Sequence, residues 1–284
     1  MKLLQCVLTA NRCHKTGAKI KPKGVMVHST GAANPMLRRY VQPVASTPGR
    51  AELLAQLGRN KNGNDWNREG QWVRGEWVPL NACVHGFIGK LADGSVAAVQ
   101  TLPWNHRGWH AGTGTSGRSA NDTHISFEIC EDGLTDPNYF RLVYREAVEL
   151  TAMLCREYGL DPLADGVVIC HSEGYRRGIA SGHADVEHWF PRHGKSMDDF
   201  RRDVAVALAP KPEPDPDPDP KPDPEEDDEM TYYKTLDEVP EWYRPTVEKL
   251  VEAGALKGTG ADALNVSEDF CRTMTVLDRL GKLD

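Results

Sequence analysis

Apolar residues recur at two different spacings over the first two hundred positions. Short runs rich in β-branched and aromatic residues read as strands at Gly24–His28, Val84–Ile88, Ser95–Thr101, His124–Cys130 and Gly166–His171. Met1–Ala10 reads as a further strand at the start of the fold. Two segments show helical spacing instead. Across Asn138–Tyr158, Phe140, Val143, Ala147, Leu150, Met153 and Leu154 fall at intervals of three or four, and across Met197–Leu208 the same holds for Phe200, Val204 and Ala207. Strands alternating with helices predict an α/β layered domain over residues 1–208. Within it, Gly58–Gly75 is polar, rich in Asn and Gly, and without periodicity, so it reads as a surface loop able to frame a groove.

The pattern changes abruptly at residue 209. Residues 209–230 alternate proline with Asp, Glu or Lys and end in a run of acids, the composition of an extended polyproline II linker. Residues 231–284 then regain an apolar pattern. Pro245–Ala253 carries Val247, Leu250 and Val251 on one stripe, and Gly254 reads as a helix stop. A second helix starts after Ser267, a suitable N-cap, with Phe270, Met274, Leu277 and Leu280 as its stripe. This is a small all-α module, short enough that pairing with a second copy, as a homodimer, would help complete its core.

Charge sharpens this division. The chain of 284 residues has a net charge of −7, and residues 209–230 hold ten acids and two lysines. The remainder is therefore near neutral, at +1, which excludes the basic stripe of a general nucleic-acid binder. Seven cysteines at irregular spacing read as buried free thiols rather than a disulfide framework. Cys170 is expected to face away from its neighbour His171. The N-terminal apolar stretch is short, interrupted by Gln5 and followed by Asn11, Arg12, His14 and Lys15, unlike a signal peptide. No apolar run approaches the roughly 20 residues of a membrane span. The expectation is synthesis in the cytoplasm and release by another route.

Chemistry concentrates in four segments. These are Gly24-Val-Met-Val-His28-Ser-Thr, His124-Ile-Ser-Phe-Glu128, Val167-Val-Ile-Cys-His171-Ser-Glu and His183-Ala-Asp185. Two imidazoles and a carboxylate would give a Zn²⁺ ion three protein ligands and leave a fourth position open. Alternation places Glu128 and Ser126 on one face of their strand, away from Phe127 and Ile129, while Glu131 and Asp132 read as a solvated turn. Taken singly, each histidine is more ordinarily a satisfied structural residue, and ligands this far apart have no local signature.

As an ordered set, the segments resemble the zinc-dependent N-acetylmuramoyl-L-alanine amidases of the Amidase_2 type, the fold shared with peptidoglycan-recognition proteins. The shared features are His28-Ser29-Thr30, Trp109-His110-Ala111-Gly112, Ile125-Ser126-Phe127-Glu128, His171 and Asp185, in the family's order over residues 1 to about 205. The resemblance implies a central mixed β-sheet flanked by helices. It implies zinc held by His28, His171 and Asp185, with Glu128 as acid/base. His183 stands where relatives often carry a lysine that stabilises charge at the scissile carbonyl, and Val186 follows Asp185 where relatives often have proline. His183 or His188 is the alternative third ligand. Substrate contacts are expected from Trp109, His110, Arg107 and His85, with a loop anchored by buried tryptophans and a structural role for His85 as the readings beside the functional ones.

The implied activity is cleavage of the amide between the lactyl group of N-acetylmuramic acid and L-alanine in peptidoglycan, as in an endolysin or autolysin. A non-catalytic peptidoglycan-binding protein and a zinc peptidase acting within the stem peptide are the alternatives. The pattern Glu238-Val-Pro-Glu-Trp242, helix, Gly254-Ala-Leu-Lys-Gly258, helix is similar to half of an S-layer-homology-type module, which implies a cell-wall ligand for residues 231–284.

Overall fold

The computed structural model describes residues 1–209, 231–256, 264–279 and 283. They fall into two compact units, one on each side of the proline-rich run. That run from residue 210 to 230, Lys257 and Gly258 of the expected helix-stop segment, and Leu280 of the last stripe lie outside the described residues.

The first unit is built in chain order from β1 (Leu3–Gln5), α1 (Arg12–Thr16), β2 (Gly24–Ser29), α2 (Arg50–Leu57), β3 (Gly70–Val73), β4 (Glu76–Pro79), β5 (Gly86–Lys90), β6 (Val96–Gln100), β7 (His124–Ile129), α3 (Pro137–Tyr158), β8 (Val168–Cys170), α4 (His171–Arg176) and α5 (Met197–Leu208). Six strands form one sheet in the order β1-β6-β5-β7-β2-β8. Only β5 and β6 pair antiparallel; the remaining neighbours are parallel. This is the α/β layering that the alternation of elements predicts and the mixed sheet flanked by helices that the resemblance implies.

Alternation along the strands sorts residues between the two faces. Val25, Val27, Ile125, Phe127, Ile129, Val168 and Cys170 point to the face covered by α3 and α5, where they pack with Phe140, Val143, Ala147, Leu150 and Phe200. Helix α3 begins where Asp136 accepts the N–H groups of Asn138 and Tyr139 and Pro137 fills the first turn, and it ends at Gly159 in the left-handed region. Helix α5 opens on a capping box between Ser196 and Asp199. The opposite face is divided. At one end Val84, Phe87, Val99 and Leu91 pack under Leu37, Leu53 and Leu57. At the other, Met26 and Ile169 pack under Ala111, Ala120 and Ala180. His28 and Glu128 share this second face between the two clusters.

Three features depart from expectation. The Gly58–Gly75 stretch leads into a hairpin, β3–β4, whose turn residues Arg74 and Gly75 both have positive φ. His171 does not end a strand; it is the first residue of α4. Glu131, expected to be solvated, is 3% exposed, with its carboxylate accepting the Gly31 N–H and contacting His188. All seven cysteines are buried and unpaired, and Cys170 lies on the α3 face. No helix among the described residues is long and apolar enough to cross a membrane.

The second unit holds α6 (Arg244–Glu252) and α7 (Glu268–Arg279), and β9 (Tyr232–Tyr233) before α6 pairs with β10 (Val266–Ser267) before α7 in a two-residue antiparallel ladder, an addition to the purely helical expectation. Val239, Tyr243, Val247, Val266 and Cys271 form its core. Ser267 accepts the Phe270 N–H, and Asp278 takes both Lys249 and Thr246 from α6.

Gly24 opens β2 where a side chain has no room: a Cβ there would stand 2.3 Å from the Val167 carbonyl oxygen and 2.7 Å from the His124 ring. Gly24→Ala is therefore expected to destabilise the first unit by about 1–3 kcal/mol, the usual cost of overpacking. A denaturant midpoint equal to that of the parent would contradict this packing.

Candidate metal centre and active site

The site lies where three parallel strands end side by side. In the β2–β7 ladder His28 pairs with Glu128, and β8 delivers His171 one residue beyond its last paired position. Asp185 arrives from the segment after α4. Its backbone carbonyl accepts the N–H groups of His171 and Ser172 at 3.1 and 3.4 Å, so it caps the helix that starts with the second histidine.

The side chains converge closely. His28 Nδ1 is 3.1 Å from Asp185 Oδ2 and 3.1 Å from His171 Nδ1, and His171 Nδ1 is 3.7 Å from Asp185 Oδ2. The three together could hold a metal ion. Bonds of about 2.0–2.1 Å in a tetrahedral zinc site place ligand atoms roughly 3.3–3.4 Å apart, so the donor set and its spacing fit Zn²⁺. Two ring nitrogens facing each other at this distance cannot both carry protons; a shared cation would satisfy both lone pairs.

Burial, and after it the neighbouring His28, pushes the His171 imidazole down to about 4. At neutral pH it presents a free lone pair. For Asp185, burial works to raise the pKa, but the hydrogen bond to His28 and the adjacent rings outweigh it and hold the carboxyl below its usual range. Glu128 behaves in the opposite way. Burial, followed by the charges of Asp185 and Glu131, pushes its carboxyl well above the ordinary glutamate range. Its Oε2 is buried and has no hydrogen-bond partner among the described residues.

The other expected site residues separate into two groups. His183 is exposed, with its ring 4.6 Å from that of His171. His110 reaches the metal group directly, its Nδ1 2.9 Å from His28 Nε2. His188 points instead at Glu131, at 2.9 Å, and away from the three donors. Trp109 packs against Cys13, Cys83 and Leu102 and is bridged to Cys83 through both backbone hydrogen bonds, the anchoring arrangement. Arg107 is held by Asp122 at 2.6 Å. His85 is fully buried: its Nδ1 accepts the Ser126 N–H at 3.0 Å, so its Nε2–H donates to the His106 carbonyl at 2.8 Å. Neither Arg107 nor His85 joins the metal group.

Two residues outside the sequence-level candidates complete the surroundings. Asn121 Oδ1 accepts the N–H groups of both His110 and Ala111. Ser181 donates its backbone N–H to the Ala111 carbonyl and sets its hydroxyl 3.4 Å from His171 Nε2. An Asn and a Ser in loops carry no sequence signal that would have singled them out.

This chain belongs to the N-acetylmuramoyl-L-alanine amidase family, Amidase_2, whose pattern matches residues 18–192. No curated protein matches the sequence. Among solved structures, the chain is similar to the Staphylococcus aureus hydrolase AmiA in complex with its ligand, at 19% identity and a TM-score of 0.46 over 73% of this chain and 83% of that one. It is also similar to a mutant endolysin from Bacillus subtilis (20% identity, TM-score 0.43, 72% of this chain and 99% of that one). The catalytic domain of XlyA matches at 20% identity and a TM-score of 0.42, over 72% and 99% of the two chains.

The buried His85 gives the fold an acid limit. Burial holds its pKa down to about 4, against about 6.5 in an unfolded chain. Between those values the unfolded state binds the extra proton, so stability rises with pH there and is lost as pH falls from about 6.5 to 4. The slope of denaturant midpoint against pH over this interval is expected to be shallower in His85→Gln. Parallel slopes for parent and variant would exclude His85 as the source.

Proposed function

We propose that the chain hydrolyses the amide joining the lactyl carbonyl of N-acetylmuramic acid to the L-alanine amine of the peptidoglycan stem peptide. The observation that carries this reading is the convergence of His28, His171 and Asp185 with Glu128 in register beside His28. The three donors would hold zinc, which when bound supplies a Lewis acid that acidifies a water molecule and polarises the scissile carbonyl. Glu128 accepts the proton of the attacking water at its unpartnered Oε2 and returns it to the leaving nitrogen. A carboxyl raised by burial suits both halves of that transfer. His183, exposed beside His171, lends positive charge to the developing oxyanion when protonated.

Residues 1–208 act as the catalytic domain in this proposal, residues 209–230 as the linker, and residues 231–284 as a wall-binding module. Holding the enzyme on its substrate raises the effective concentration of bonds to be cut. The protein works on the wall as an endolysin or autolysin, after leaving the cell in which it is made.

Mass analysis of digested wall material tests the reaction. Fragments carrying a free L-alanine amine, lost on chelation and regained with zinc, are the expected result; cuts inside the stem peptide, or none, would overturn it. His28→Ala and His171→Ala should each lose bound metal and turnover. Glu128→Gln should retain its metal and lose about 10²–10⁴-fold in rate, the usual contribution of a positioned acid/base. Turnover within about twofold of the parent would exclude that role.

A chain ending near Pro210 should cleave small soluble muramyl peptides at the parent rate and intact walls more slowly. If residues 231–284, produced alone, fail to sediment with any susceptible wall even at low salt, the anchoring role falls. Self-association through the module then becomes the reading to measure.

A further inference from the structure

We infer that His110 is a positioning residue for the metal site: its Nδ1 accepts a hydrogen bond from His28 Nε2–H and so fixes the tautomer and the ring orientation of that ligand. The inference rests on the reading that His28, His171 and Asp185 hold zinc.

His28 uses its two nitrogens in different directions. Nδ1 faces His171 and Asp185, and Nε2 faces His110 Nδ1 at 2.9 Å. An imidazole that offers its Nδ1 lone pair to a cation keeps its proton on Nε2. That proton points at His110 Nδ1, which must therefore be an acceptor, so His110 carries its own proton on Nε2. One contact thus sets the protonation pattern of both rings. The pair stands edge to face, with centroids 5.1 Å apart and planes at 76°, so a swing of either ring would break the contact.

The acceptor is itself held in place. The N–H groups of His110 and Ala111 both converge on Asn121 Oδ1, at 2.7 and 2.9 Å. One residue earlier, Trp109 is bridged to Cys83 by two backbone hydrogen bonds. A Cβ at Gly108 would come within 3.0 Å of His110 Cδ2 and 3.1 Å of His85 Cε1, so the His110 ring sits in a gap that glycine keeps open. His110 Nε2 is buried and has no protein partner among the described residues, so nothing on that side competes for the ring's orientation. Outer partners of this kind typically change metal affinity 10–100-fold when removed. Here the partner is a neutral imidazole rather than a carboxylate or a backbone carbonyl.

The test is zinc affinity of the full-length chain, measured by competition with a chromogenic chelator, for the parent, His110→Ala, His110→Asn and His110→Gln. An asparagine carboxamide oxygen can occupy the place of Nδ1; the longer glutamine reaches toward the place of Nε2. The alanine variant should bind zinc about 10–100-fold more weakly, asparagine should recover most of the loss, and glutamine should not. Melting midpoints of the metal-free proteins should change alike for asparagine and glutamine, which separates positioning from a general packing role. Should alanine fail to fold, the asparagine–glutamine contrast alone decides. Unchanged affinity in the alanine variant, or equal loss in asparagine and glutamine, would overturn the inference while leaving the zinc reading intact. A parent chain that binds no zinc would overturn both.

Discussion

The ladder between β2 and β7 governs where the chemistry falls. His28 and Glu128 are directly paired and share a face only because Val25, Val27, Ile125, Phe127 and Ile129 are committed to the opposite face, under α3. In a strand the side-chain period is two, so a slip of one residue would bury His28 or Glu128 beneath α3 and expose Val27 or Phe127. The hydrophobic core is thus what fixes the register of the site. Gly24 at the start of β2 allows the strand to lie close to the Val167 carbonyl, and the neighbouring pairing with β8 then sets the distance to His171.

Electrostatics at the site follow from the same burial. Gathering imidazoles beneath loops keeps His171 and His110 neutral at ordinary pH, because each cation would be desolvated and would face another ring. Burial works to raise the Asp185 pKa, but the hydrogen bond with His28 and the adjacent His28 and His171 rings outweigh it and keep the carboxyl charged. A neutral His171 nitrogen beside a charged Asp185 carboxylate is a pair that can take a divalent cation without first shedding protons. Glu128, one strand away, is pushed toward its neutral form by burial and by Asp185. A cation among the three donors would offset the Asp185 contribution and lower the Glu128 pKa from that raised position.

Much of this was legible in the sequence, for reasons that differ from residue to residue. Strands β2, β6, β7 and β8 and helices α3 and α5 have their period written in their own residues, and the opposed faces of Phe127 and Glu128 follow from alternation alone. Grouping His28, His171 and Asp185 required family resemblance, since no local spacing connects them. What escaped reading is held by partners distant in the chain. Glu131 looks like a turn carboxylate, yet it is buried because Gly31 and His188, 100 and 57 residues away, satisfy it. His85 shows no local sign that Ser126 and His106 will occupy both its nitrogens. The β3–β4 hairpin was hidden because its turn puts Arg74, a residue that seldom takes positive φ, before Gly75.

The segment from His171 to Asp185 is held by backbone contacts at its ends and midway. It ends in His183-Ala184-Asp185-Val186, with His183 and Val186 where the resemblance implies lysine and proline. Its two ends are tied by the Asp185 carbonyl, which caps the first N–H groups of α4 at His171 and Ser172. Midway, the Ser181 N–H donates to the Ala111 carbonyl and adds a second fixed point. Lengthening a loop between fixed ends costs little, because closure entropy grows only with the logarithm of length. The position of the Asp185 carboxylate is therefore set by the cap rather than by the length of the segment before it. The cap holds the Asp185 carboxylate within 3.1 Å of His28, while His188 contacts Glu131 at 2.9 Å.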